Sequence, residues 1–334
     1  MLLVVCLLLL VQPGATGINR PVTSPAATCP DTFRIGFVAD VAGLDSRADS
    51  AAWRGVHDGL HGLPCSHADV GVPNLPAQYR QFLQAFAGYD LVIASSFLLT
   101  DAVVDVARAN PGTRFVLVDP IVTPPAPPNL TVLVFRDDQS AYLAGALAAM
   151  VTKTGVIAGV YGPGGAVDQR NRTGFEQGAA YVRPGIRVFG GYQPAGDGLP
   201  YANPGWGAAE ARNFSQQGAD VIFGTGGSTG KGALRGAAQA GSICIGADQD
   251  QLSSSDPAVA DCLVASAIKH VDRGVALMVA DAAAGHWAGG LRTVGLSEGA
   301  VELGPIQYAL SPGRLDELQT IAGKLATGVL RTSA

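Results

Sequence analysis

The sequence predicts an α/β protein made of two doubly wound units in tandem. Short apolar runs alternate with helical segments from residue 33 onward, and the pattern restarts after Phe135. The chain of 334 residues, 48% hydrophobic and 15% charged, is long enough for two buried cores. The runs lack polar alternation, which marks strands covered on both faces and therefore parallel sheets.

The N-terminus stands apart from that pattern. MLLVVCLLLLVQ is too short an apolar run to span a bilayer, and Ala15-Thr16-Gly17 supplies small residues for signal-peptidase cleavage. Residues 1–17 therefore read as a signal peptide, although the usual basic stretch is missing. Residues 18–32, rich in Pro, Ser, Thr and Ala, read as a tether. Outside the leader the cysteines are Cys29, Cys65, Cys244 and Cys262. An even count in an exported chain suggests two disulfides, and the strand reading favours Cys29–Cys65 and Cys244–Cys262. The alternatives are buried free thiols and, for Cys29, a lipid anchor, for which Ala26-Ala27-Thr28 is a poor signal.

In the first unit, FRIGFVAD, ADVGVPN, DLVIASS, RFVLVDP and LTVLVF read as strands. SAAWRGVHDGL, AQYRQFLQAF and LLTDAVVDVARAN are the helices between them, and PPAPPN is a turn-rich connection. In the second unit the strands are VIAGVYG, RVFGGY, DVIFGTG, ICIGAD and CLVASAI. Helices are expected at QSAYLAGALAAMVTK, QRNRTGFEQGAAYV, GAAEARNFSQQ, TGKGALRGAAQA and KHVDRGVALMVADAAAG. Short strands in TVGLSEGAVEL and a closing helix, RLDELQTIAGKLATG, complete the chain.

Open parallel sheets bind ligands beyond the carboxyl ends of their strands. That rule selects Asp40, Ser96, Phe97 and Asp119 in the first unit, and Gly226, Gly227 and Asp248 in the second. If the two sheets face each other, these residues line one cleft. The net charge of −5, with no basic stripe, argues against a nucleic-acid partner.

The stretch GTGGSTGKG, 224–232, resembles a phosphate loop without being one. G-x-x-x-x-G-K-[ST] requires glycine at 225, where Thr225 stands, and Ser or Thr at 232, where Gly232 stands. What is left is bare backbone with Ser228 and Thr229 as expected helix caps, able to donate N–H groups to ligand oxygens. A tight turn without a ligand is the alternative. HDGLH, from His57 to His61, has the spacing of a zinc helix, but Gly59 and Pro64 weaken it and solvated histidines are the better reading. His270 and His286 show no partner in sequence. Asp137-Asp138 reads as a pair of exposed acids opening a helix. No metal, no cofactor and no enzyme is expected.

Several ordered segments resemble one family. FVADVAGLDSRADSAAW, YDLVIASSFLLTDAVVDVA, FVLVDP, YLAGALAAMVTKTG, TGFEQGAAYV, QGADVIFGTGGSTGKG, IGADQDQ and SAIKHVD look like the basic membrane protein family of bacterial substrate-binding proteins. The likeness runs from about Phe33 to Ala326. It implies the type I periplasmic-binding-protein fold, two doubly wound lobes joined by a three-segment hinge. The expected boundaries are 33–138 plus 266–290 for lobe 1, and 139–265 plus 291–330 for lobe 2. The implied function is an extracytoplasmic binding protein of an ABC importer, a monomer that carries a small polar solute, a nucleoside above others, to a permease. Contact with the membrane is expected only through a lipid anchor. Alternatives are a receptor for a sensory pathway, another polyhydroxylated or cationic solute and, remotely, a hydrolase.

By the same resemblance, Asp40 and Asp119 contact the nucleoside, Asp248 and Lys269 hold the sugar hydroxyls, and Gly226 to Thr229 form the glycine-rich loop. Lys269 is one of four lysines in the chain, which suits a point-charge donor. The two could instead form a structural ion pair. Two departures stand out. The family's stacking aromatic after the first strand is Ala48 here and the next asparagine is Asp49, while R-R-F becomes Gln169-Arg170-Asn171. Trp206, Tyr192 or Phe97 is expected to replace an aromatic, and Asp45, Asp49 and Asn171 to make the walls more polar.

Overall fold

The computed structural model describes residues 33–121, 123–196, 198–253 and 256–333. The expected signal peptide, the tether and Cys29 lie outside the described residues, and so does the expected Cys29–Cys65 pairing. The sulfurs of Cys244 and Cys262 stand at disulfide distance, 2.04 Å.

Two six-stranded sheets form two lobes. The first half of the chain folds as β1 (Arg34–Val38), α1 (Arg47–Leu60), β2 (His67–Gly71), α2 (Tyr79–Ala85), β3 (Leu91–Ala94), α3 (Thr100–Ala109), β4 (Arg114–Val118) and β5 (Leu130–Phe135). The chain then crosses to α4 (Asp137–Val151), β6 (Val156–Tyr161), α5 (Ala166–Val182), β7 (Arg187–Tyr192), α6 (Pro204–Gln216), β8 (Val221–Gly224), α7 (Gly227–Gln239), β9 (Ile243–Asp248) and β10 (Leu263–Lys269). It returns through α8 (Val271–Ala283) and β11 (Gly290–Val294), and crosses a third time to β12 (Val301–Leu303) and α9 (Pro312–Ala326).

The strand orders are β11-β5-β4-β3-β1-β2 and β12-β10-β9-β8-β6-β7. Every pairing is parallel except that of β10 with β12. The expected lobe boundaries move accordingly: β10 lies wholly in the second sheet and β11 in the first, so the crossings follow Lys269 and Val294 rather than 265 and 290. Apolar runs reveal that a strand is buried but not which of two like sheets it joins.

Central strands are apolar on both faces, as β3, β5 and β6 are buried throughout. Each sheet reverses its order beside its first strand, between β1 and β3 and between β6 and β8. Such a reversal splays the following loops apart and opens a crevice at the carboxyl ends. Both crevices open toward the same gap.

The many glycines have a packing role. In the α4–α5 pair, a Cβ added at Gly178 would stand 1.9 Å from the Tyr142 carbonyl oxygen, and one at Gly174 would stand 2.1 Å from that of Asp138. Gly207 and Gly232 do the same between α6 and α7, and Gly55 between α1 and α8. Helix backbones touch there, which leaves no room for side chains. Gly178→Ala is therefore expected to cost about 1–3 kcal/mol through overpacking. Thermal unfolding of the variant should show a lower Tm, and an unchanged Tm would contradict the seam.

Candidate functional site

The gap between the lobes is a cleft of about 350 Å³, within the range of small-molecule sites. Its lobe-1 wall is Asp40, Ala48, Asp49, Ser95, Ser96, Phe97 and Asp119, and its lobe-2 wall includes Asp168, Tyr201, Gly226, Gly227, Asp248 and Lys269. Across its mouth, Arg47 Nη1 donates to Gln249 Oε1 at 2.7 Å.

A buried ion cluster forms the floor. Lys269 Nζ, at the end of β10, lies 2.6 Å from Asp119 Oδ2 and 3.1 Å from Asp137 Oδ1. Arg170 on α5 reaches the same two acids, at 3.7 Å from Asp119 and 3.2 Å from Asp137. Asp119 belongs to lobe 1 and both cations belong to lobe 2, so the cluster joins the lobes. Burial opposes a charge on Lys269, but Asp119, Asp137 and Asp248 together outweigh it and hold the ammonium protonated well above its usual range. The alternative of a structural pair made by Asp248 and Lys269 alone gives way to this cluster, in which the ion pairs of Lys269 are with Asp119 and Asp137. Asp137 and Asp138 are 4% and 0% exposed rather than solvated. Asp138 is instead gripped by the Arg136 guanidinium and the Thr332 hydroxyl. Sequence position at a helix start favours acids, but it does not show that the hinge covers them.

Asp248 ends β9 as Asp119 follows β4, the equivalent place in the other lobe. Both have left-handed backbones, with φ of 69° and 49°, and Tyr201 has φ 63°. Three of the four non-glycine residues with positive φ among the described residues thus line the cleft. Each such conformation costs about 1–3 kcal/mol and persists only where its surroundings enforce it. The Gly227 N–H bonds the Asp248 carboxylate, while burial pushes that acid's pKa up against the pull of Lys269. Gly226 is required at its place, because an added Cβ would stand 2.5 Å from the Gly162 nitrogen. Ser228 and Thr229 do not cap α7. Their amides go to the Tyr201 carbonyl, at 2.9 and 3.4 Å, and are not free for a ligand.

Tyr201 sits on the loop between β7 and α6, and its ring lies 6.0 Å from that of Phe97, tilted by 59°. Each lobe thereby contributes one aromatic. Its hydroxyl donates to Asp168 Oδ2 at 3.3 Å, and that carboxylate also accepts the amides of Gly162, Gly164 and Gly165 at 3.0–3.1 Å. Burial nevertheless dominates and pushes Asp168 up to about 6. Asp49 is likewise raised to about 6 by burial, against the hydroxyls of Ser95 and Ser46.

A family model described as ABC transporter substrate-binding protein PnrA-like, Bmp, matches residues 79–324. The chain belongs to this family. A nucleoside-binding ABC-transporter protein, BmpA, of Lactococcus lactis is 32% identical over 81% of this chain and 81% of its own. A CD4+ T-cell-stimulating antigen of Listeria monocytogenes is 28% identical over 90% of this chain and 87% of its own. A crystal structure of an ABC-transporter solute-binding protein from Aeropyrum pernix superposes with a TM-score of 0.69, at 21% identity, over 90% of this chain and 92% of that one. That likeness shows the type I periplasmic-binding fold. Bmp-family membership makes the chain an extracytoplasmic solute-binding protein of an ABC transporter, with a permease for partner, and not an enzyme. Among the described residues no helix is long and apolar enough to cross a membrane.

Within this Bmp-family cleft, nine of the expected site residues come together: Asp40, Asp49, Ser96, Phe97, Asp119, Gly226, Gly227, Asp248 and Lys269. Asn171 does not join them, because it is buried on α5 with its amide donating to the Val167 carbonyl at 3.1 Å. Phe97 lines the cleft, whereas Tyr192 packs on Tyr161 and Trp206 on the lobe-2 core. Asp45 lines an adjoining hollow at the mouth. Asp168 and Tyr201 carried no signal in the sequence, since neither follows the strand-end rule or a periodicity, while Arg170 stood out only within Gln169-Arg170-Asn171 and Asp137 only as an acid opening a helix. His270 does have a partner, Glu302 Oε1 at 2.8 Å. His57 packs edge-on against Trp53, with ring centroids 4.6 Å apart. Gly226 to Gly230 has the G-x-S-x-G spacing of a nucleophile elbow. Ser228 is not in the cleft lining, and no histidine is there among the described residues.

Two outcomes follow from this electrostatic arrangement. Lys269→Met leaves Asp119, Asp137 and Asp248 with Arg170 as the one cation of the cluster and should destabilise the protein by about 3–5 kcal/mol in chemical denaturation, whereas Asp248→Asn should not destabilise it, because it removes one of three acids facing Lys269. Equal losses would contradict the cluster. Asp49 and Asp168 have folded-state pKa values above the unfolded 3.8, so folding binds protons between about pH 4 and 6. Their contribution to stability therefore falls as pH rises through that window. The ligand-free Tm should be higher at pH 5 than at pH 7.5, and the reverse order would show that other groups dominate.

Proposed function

We propose that this Bmp-family protein binds a nucleoside between its lobes and delivers it to an ABC importer. One observation carries the reading: an aromatic from each lobe stands in the same cleft as a partly buried, amide-anchored carboxylate. A flat base stacks on Phe97 or Tyr201, an interaction worth about 1–3 kcal/mol in nucleic-acid settings. Asp248 accepts hydrogen bonds from the sugar diol, and charged hydrogen bonds of this kind contribute about 1.5–3 kcal/mol. Lys269 is occupied by Asp119 and Asp137, so its part is to neutralise the acids beneath the sugar rather than to contact it alone. The nucleoside-binding relative from Lactococcus lactis supports the same reading.

Binding takes place in the open form, and contacts from both walls make the closed form dominant. Thermal-shift measurements against nucleosides, sugars, amino acids and polyamines test the assignment. Nucleosides should raise the Tm, a 2′,3′-dideoxynucleoside should do so far less, and Asp248→Ala should weaken nucleoside binding at least about tenfold. A shift with polyamines and none with nucleosides would replace the nucleoside by a cationic solute.

A further inference from the structure

Asp168 makes more contacts than its place in a helix requires. It lies in the first turn of α5 and is 1% exposed. An acid there bonds the amide that precedes the helix, and Asp168 Oδ2 accepts the Gly165 amide at 3.1 Å in that way. The same oxygen also accepts the Gly164 amide and the Tyr201 hydroxyl, and Oδ1 accepts the Gly162 amide. Capping explains none of these three. One carboxylate thus ties the loop after β6 to the loop before α6.

Tyr201 is held at its other end as well. Its amide donates to Gln193 Oε1 at 3.2 Å, its carbonyl accepts the Ser228 amide at 2.9 Å, and its backbone is left-handed. Gly162 makes room for the ring, because a Cβ there would stand 2.4 Å from the ring's Cε1. Phe97, in the single turn of residues 97–99 on the other lobe, has no hydroxyl by which to be tethered. The two ring centroids lie 6.0 Å apart, with planes tilted by 59°. A flat guest between two rings needs about 3.5 Å on each side, or about 7 Å in all. One ring must therefore withdraw. We propose that Asp168 is a positioning residue: by holding the phenol it sets Tyr201 as the fixed stacking wall, so that Phe97 is the ring that yields to the guest. This deepens the nucleoside reading and rests on it. With its hydrogen spent on Asp168, Tyr201 offers the base a face and no donor.

Calorimetric titration with adenosine and guanosine tests the proposal. Tyr201→Phe keeps the ring, loses the tether and should weaken both nucleosides about fivefold. Asp168→Ala should weaken them about tenfold in the unaltered protein, but no more than about twofold further in Tyr201→Phe, where the tether is already gone. Asp168→Asn can place its amide oxygen where Oδ2 stands and should keep most of the affinity, which separates a lost tether from a lost fold. A crystal structure of the adenosine complex should show the Tyr201 hydroxyl still on Asp168 and Phe97 displaced. Equal losses from Asp168→Ala in both backgrounds would show that it acts on its own loop alone, and would overturn the proposal. So would an Asp168→Asn variant as weak as Asp168→Ala, or a complex in which the Tyr201 hydroxyl has turned to the base. Each of these leaves the nucleoside reading standing. Failure of both nucleosides to bind the unaltered protein sinks that reading itself, and this proposal with it.

Discussion

A lysine ammonium buried between two lobes is the constraint on which the remaining geometry depends. Lys269 ends β10 of the second sheet, at one of the three crossings, and its charge survives burial because acids, Asp119 and Asp137 foremost, lie beside it. Asp119 comes from the first sheet, so closing the lobes and neutralising the lysine are one event. Arg170 repeats the arrangement from α5. With two cations against Asp119, Asp137 and Asp248, the floor keeps an excess of acceptors, and that excess faces the cleft. A guest that brings donors completes the balance.

The second constraint is backbone strain at the strand ends. Asp119, Asp248 and Tyr201 adopt left-handed conformations that most side chains avoid. The sheets, the Gly227 amide and the anchored loop before α6 hold them there. Such preorganisation lowers the ordering cost of binding, since the groups that meet the ligand are already fixed. The glycine seams serve the same end, by fixing α5 and α7, whose first turns carry Asp168 and Gly227, tightly against their neighbours.

The fold was legible because buried parallel strands are written as uninterrupted apolar runs, and nearly every such run became a strand. The strand-end rule then found Asp40, Phe97, Asp119 and Asp248 without knowing how the lobes meet. It could not assign β10 and β11 to a sheet, since either sheet would bury them equally well. Nor could it find Tyr201, whose loop has no periodicity, or reveal that Asp137 and Asp138 are covered, since coverage comes from the hinge and the C-terminal residues. Asn171 misled for a related reason: a polar residue on a helix near the cleft satisfied its own helix's carbonyl instead of the gap.

The claim tested most directly is that the Asp119 carboxylate, by gripping Lys269 and Arg170, holds the lobes together. Small-angle scattering of ligand-free Asp119→Asn beside the unaltered protein measures this. The account predicts a larger radius of gyration for the variant, as the two lobes swing apart once the charge that joins them is gone. Superposable scattering curves, with the variant as compact as the parent, would contradict it.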